Sequence, residues 1–108
     1  RQRWGQESPM NFNRTDSADL TVLRISGSLD ALSTPELRPM IETLVAEKRA
    51  EITVDLSELR IIDSSGVGAI VSLYKRMRAV GSKVEVVGLK DQPLAIFRLL
   101  RLDRIFTV

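Results

Sequence analysis

Histidine and cysteine are both absent from this chain of 108 residues. Without histidine a Ser-His-Asp arrangement is impossible, and no side chain titrates at its ordinary value between about pH 5 and 8. A Ser-Lys pair stays formally open, but no spacing singles out a lysine. Without cysteine there are no disulfides, and with both residue types missing zinc loses its usual ligands. Asp16 with Asp19, and Asp55 with Glu58, read as solvated turn acids, so no metal and no cofactor is expected. Aromatics make up only 5% of the chain, and the 16 Lys and Arg are interspersed with 14 Asp and Glu. That pattern argues against nucleic-acid binding and against direct membrane contact through a polybasic patch. No apolar run is long enough to span a bilayer, and no secretory h-region with a cleavage site is present. With 44% hydrophobic and 28% charged residues, the chain reads as one ordinary globular domain. The cytoplasm is the simplest setting and a monomer the simplest state.

Residues 1–9 lack periodicity and are expected to be a poorly ordered leader or non-native remnant, leaving 10–108 as a single domain. Met10 to Asn13 reads as a short edge strand, Arg14 to Asp19 as a polar turn, and Leu20 to Ile25 as the second arm of a hairpin. Ser33 and Glu36 have capping-box spacing, and Thr34 before Pro35 offers an alternative helix start. Leu37, Ile41, Leu44, Val45 and Lys48 then mark a helical stripe, with the lysine stem able to snorkel. Ile52, Val54 and Leu56 alternate with polar residues as a strand that runs into a short turn near Ile61 and Ile62. Val67, Ile70, Val71, Tyr74 and Met77 form a second stripe that stops at Gly81. Val84, Val86 and Val87 give another strand, Asp91 and Pro93 open a last helix, and Arg104 to Val108 turns extended. Strands alternating with helices predict an α/β fold, a mixed and mainly parallel β-sheet with an antiparallel edge hairpin, covered by α-helices.

Chemistry concentrates in Asp63-Ser64-Ser65-Gly66-Val67, a strand-to-helix turn. In an open α/β sheet such turns gather at the carboxyl ends of the strands, where helix N-termini converge. Asp30 belongs to a loop on the same rim. Ser and Asp at a helix start also serve as caps, so a purely structural reading accounts for the same composition. Gly66-Val67-Gly68 has part of a dinucleotide fingerprint, but position 71 is Val71 and the Walker lysine is missing. Gly68 is expected to allow close packing of helix on sheet.

Gly27-Ser28-Leu29-Asp30, Val54-Asp55-Leu56 and Ile62-Asp63-Ser64-Ser65-Gly66-Val67-Gly68, with Gly81 and the Leu-rich last helix, resemble the STAS domain of bacterial anti-sigma-factor antagonists over Leu20 to Val108. The resemblance implies that Ser64 is the phosphorylated residue, with Ser65 the second choice. It implies a partner-binding surface of Asp30, Asp63, Ser64, Ser65, Gly66 and Val67. The implied partners are an anti-sigma factor serine kinase, bound when Ser64 is unmodified, and a cognate phosphatase. Ser28 stands where the family carries a glutamate. The alternative is a STAS interaction module of a stress-signalling scaffold, transporter or lipid-transport complex. On either reading the chain is not an enzyme, so the purified protein is expected to show no hydrolase or ATPase turnover. Turnover that disappears in Ser64→Ala would contradict this.

Overall fold

The structure, a computed structural model, describes residues 10–106. The expectations for residues 1–9 and for Thr107 and Val108 lie outside it. Strand β1 (Met10–Ser17) pairs antiparallel with β2 (Leu20–Leu29), and α1 (Thr34–Glu47) leads to β3 (Glu51–Ile62). Helix α2 (Ser64–Ala79), β4 (Lys83–Val87), α3 (Asp91–Leu99) and the short α4 (Asp103–Phe106) follow. The sheet has the order β1-β2-β3-β4, with β2, β3 and β4 parallel.

Each parallel pair joins adjacent strands through one helix. The right-handed sense of such crossovers puts α1 and α2 on the same face. Leu23 and Ile25 of β2 and Ile52, Val54 and Leu56 of β3 are buried beneath them, together with Leu37, Ile41 and Leu44 of α1 and Ile70, Leu73 and Met77 of α2. The intervening residues of β3, Thr53 and Asp55, are only half-buried, and Asp55 pairs with Arg24 of β2 at 3.1 Å. This one-sided burial is why a parallel strand shows the period-two pattern usual in antiparallel sheets. Phe106 closes the core at the β4 end, stacked edge-on against Tyr74 at 4.9 Å and tilted against Phe97 at 5.4 Å.

Several expectations are corrected. Arg14 to Ser17 is strand, not turn: β1 is an edge strand whose backbone is satisfied by β2, and Arg14 bridges Asp16 and Glu47 of α1. The turn is Ala18 and Asp19 alone, held by Arg49, which donates to Ala18 O at 2.8 Å and Leu20 O at 3.1 Å. β3 runs unbroken to Ile62, absorbing extra residues at register shifts beside Ser26 and Ser28. Lys48 does not snorkel on a stripe: it is the exposed C-cap of α1 in the left-handed region at φ 53°. The segment Arg104 to Phe106 is helical, because Ile105 and Phe106 both donate to Leu102 O.

The ion pairs set the pH response. Hydrogen bonds from Arg14 hold Asp16 and Glu47 below the usual carboxylate range, and those from Arg76 do the same for Glu42. Burial acts to raise Asp55, but hydrogen bonds from Ser57 and Arg24 outweigh it and leave it lowered. A carboxylate depressed in the folded state stabilises it above the unfolded pKa, and that contribution vanishes as pH falls through the folded value. With no histidine to titrate, the urea midpoint should be flat from about pH 6 to 8 and decline below about pH 4. A steep slope across the neutral range would contradict this assignment.

Candidate functional site

Asp63 ends β3 and starts α2. Its backbone is extended, with φ −115° and ψ −173°, and its Oδ1 accepts from the Gly66 amide at 3.0 Å, a side-chain N-cap. Its Oδ2 accepts from the Ala31 amide at 3.2 Å, and its own amide donates to Leu29 O at 3.2 Å. One residue thus ties the start of α2 to the loop after β2. The expectation that Asp30 and Asp63 share a rim is met through these bonds.

Ser64 and Ser65 occupy the first helical positions of α2 and are exposed. Neither hydroxyl makes a hydrogen bond among the described residues, and neither amide finds a protein acceptor there. The capping duty lies with Asp63, so the two serines stand at the positive end of a helix with no structural task. Val67 is buried and anchors the first turn, its amide bonded to Asp63 O at 2.9 Å.

The two glycines exchange the roles that spacing suggests. A Cβ on Gly66 would lie 2.4 Å from Leu29 O and 2.6 Å from Ile62 Cγ1, so the bare backbone there lets α2 sit on the ends of β2 and β3. Gly68, expected to be the packing residue, would place its Cβ in open space, with nothing within 4 Å. It faces the other way, onto a groove of about 400 Å³ between α1 and α2 that is bordered by Ala31, Arg38, Ser65, Ala69 and Ser72. Arg76 of α2 crosses to Glu42 of α1 through paired contacts of 2.7 and 2.8 Å beside that groove.

The Asp30 loop is built on itself. Asp30 Oδ1 accepts from the Leu32 and Ser33 amides, both at 3.0 Å, and Thr34 Oγ1 donates to Asp30 O at 2.6 Å. The capping box of Ser33 with Glu36 does not form: Ser33 is buried and its hydroxyl donates to Ser28 O at 2.8 Å. The loop's product is Leu32, 86% exposed at the rim, which sequence patterning passes over because a lone leucine in a turn has no periodicity. Gln92 is a second residue that the sequence does not betray. Its amide accepts from Ile62 N and donates to Ile62 O, both at 2.9 Å, so the first turn of α3 fixes the strand end before Asp63. Among the described residues no cluster of acids is arranged to hold a metal. No described helix is long and apolar enough to cross a membrane.

A family model described as STAS domain matches residues 10–108. An anti-sigma-B factor antagonist of Listeria monocytogenes is 28% identical over 94 residues, covering 87% of this chain and 80% of that protein. The crystal structure of an anti-sigma factor antagonist from Mycobacterium paratuberculosis aligns with a TM-score of 0.82 at 23% identity, over 90% of this chain and 82% of that one. The Bacillus cell fate determinant SpoIIAA in its phosphorylated form aligns with a TM-score of 0.70 at 22% identity, over 87% of this chain and 86% of that one. At these identities the solved structures carry the fold: a mixed sheet with an antiparallel edge, covered by helices.

The glycine geometry has a direct consequence. Gly66→Ala forces the helix start off Leu29 and should destabilise the domain by about 1–3 kcal/mol, the usual range for overpacking. Gly68→Ala meets nothing and removes glycine's backbone entropy, so it should stabilise by about 0.5–1 kcal/mol. Urea denaturation of both variants checks the pair, and equal effects would overturn the assignment of Gly66 to the close approach.

Proposed function

The chain belongs to the STAS domain family, and from that premise we propose that it is an anti-sigma factor antagonist working by partner switching. It binds a cognate anti-sigma serine kinase while Ser64 is unmodified, is released when that kinase phosphorylates Ser64, and is reset by a phosphatase. The observation that carries this reading is the division of labour at the turn: Asp63 caps α2, and the exposed Ser64 hydroxyl is left without a structural role. The names of the relatives support the antagonist role, and the phosphorylated form of SpoIIAA supports a modified state on this fold.

The physics suits a switch of interface rather than of fold. A phosphoryl group brings about −1.5 to −2 charges at neutral pH and settles readily at a helix N-terminus with free amides. The Ser64 and Ser65 amides supply that setting, so the domain stays folded. Against a partner the same dianion, beside Asp63 and near Asp30, must be desolvated. A penalty of about 3 kcal/mol, within the range for an unpaired buried interfacial charge, weakens binding by roughly a hundredfold or more. Leu32 supplies an apolar anchor on the partner-facing rim, with Gly66 and Val67 fixing the turn behind it. Ser65, one position further into α2 and at the mouth of the α1–α2 groove, is the second candidate acceptor. Nucleotide, magnesium and catalytic base come from the kinase.

The test begins by retrieving the kinase from native cell lysate with the unmodified domain, then measures binding by calorimetry. Ser64→Ala should bind and resist phosphorylation, whereas Ser64→Glu should lose about a hundredfold in affinity. Leu32→Ala should lose about tenfold while remaining folded. Phosphate found by mass spectrometry away from Ser64 and Ser65, or undiminished binding by Ser64→Glu, would overturn the proposal.

A further inference from the structure

The corner where α3 ends has a surface chemistry unlike that of the Ser64 rim. Leu99 is 75% exposed, Leu100 50% and Ile105 47%. Arg98, Arg101 and Arg104 alternate with them, all exposed, and from Arg98 to Phe106 the only acid is Asp103. None of these arginines enters an ion pair among the described residues, where the pairs belong to Arg14, Arg24 and Arg76. The leucines are held outward by a packed turn: Arg101 N donates to Arg98 O at 3.0 Å and Leu102 N to Phe97 O at 2.8 Å. Beneath it, Phe97 and Phe106 are buried against each other.

Ile105 and Phe106 border the trough along β4, while the rest of the corner lies outside it. Neither the groove between α1 and α2 nor the trough along β4 is lined by Arg98, Leu99, Leu100 or Arg101. The apolar share of the surface is aliphatic, and leucine is under-represented among the residues that dominate protein interfaces. A fluid anionic bilayer needs no preformed concavity: aliphatic side chains enter the interface while guanidinium groups meet headgroup phosphates. We propose that the α3–α4 corner docks this domain, weakly and reversibly, on a membrane surface rich in anionic phospholipid. The even spread of charge along the whole sequence, which argued against membrane contact, conceals a local excess that becomes a surface only when the turn is folded. The site is separate from the phosphorylation rim, because α3 starts at Ile62 through Gln92 and runs nine residues, about 13 Å, before reaching the corner.

Sedimentation of the whole chain with vesicles tests this, using phosphatidylcholine alone and phosphatidylcholine with phosphatidylserine. Binding is expected only to the anionic vesicles and should fall as salt is raised. Each arginine contributes about a fivefold factor at low salt, so Arg98→Glu with Arg104→Glu should cut partitioning at least tenfold. Leu99→Asp with Leu100→Ser should abolish it, and Ser64→Glu should bind like the parent. Circular dichroism checks that these surface variants stay folded. Equal binding to neutral vesicles, no binding to either kind, or an unaffected arginine variant would overturn the proposal. So would an acidic protein captured by the parent but not by the arginine variant, in the absence of vesicle binding.

Discussion

The Asp63 carboxylate is shared between two pieces of backbone, the Gly66 amide of α2 and the Ala31 amide of the loop after β2. Everything at the rim follows from that sharing. It fixes the start of α2 against the end of β2, which is possible only because position 66 lacks a Cβ. It sets the α1–α2 groove by placing the N-terminal ends of both helices. It holds the loop whose own Asp30 turns Leu32 outward. By taking over the cap it also leaves the hydroxyls of Ser64 and Ser65 to solvent. A serine that capped its own helix would have to break a structural bond to be modified, and here that conflict does not arise.

How much of this was legible in the sequence depended on whether the signal was periodic. The stripes of α1 and α2 and the alternation in β3 were readable because each element buries one face and wets the other. The strand-helix alternation and the opening hairpin gave the sheet its order. Non-periodic features escaped. The polar composition of Arg14 to Ser17 looked like a turn, because an edge strand satisfied by one neighbour can be polar on much of its length. The two register shifts in β3 had no local marker, since bulges are set by the partner strand. Gly66 and Gly68 are indistinguishable by residue type, and only the distance to Leu29 O separates them. The bond of Gln92 to Ile62 joins residues thirty apart and leaves no trace in either segment. The Asp63-Ser64 turn itself was legible as chemistry, yet which of its residues caps and which is free required the backbone angles.

The same geometry separates binding from stability. Surface ion pairs such as Arg76 with Glu42 contribute little to stability, so no single charge on the outside decides whether the domain folds. The fold rests on the apolar layer between sheet and helices, to which the exposed Ser64 side chain does not contribute. The phosphoryl group proposed for the rim would therefore act on a quantity the core does not control, the cost of covering the rim with another protein. That cost is large relative to typical differences between partners, where each 1.4 kcal/mol is about tenfold. In the proposed switch the domain accordingly changes partners without changing shape.

Rim and corner are also related through a single helix. Helix α3 begins beside the strand end that carries Asp63 and finishes at Leu99, so the rim and the α3–α4 corner lie at opposite ends of that helix. On the proposed reading, contact at the corner does not compete with contact at the rim. Membrane residence in that arrangement raises the local concentration of the domain for any partner on the same surface, without altering a single contact at Ser64. On the two proposals together, phosphorylation and docking become independent controls, the first setting whom the domain binds and the second where it waits.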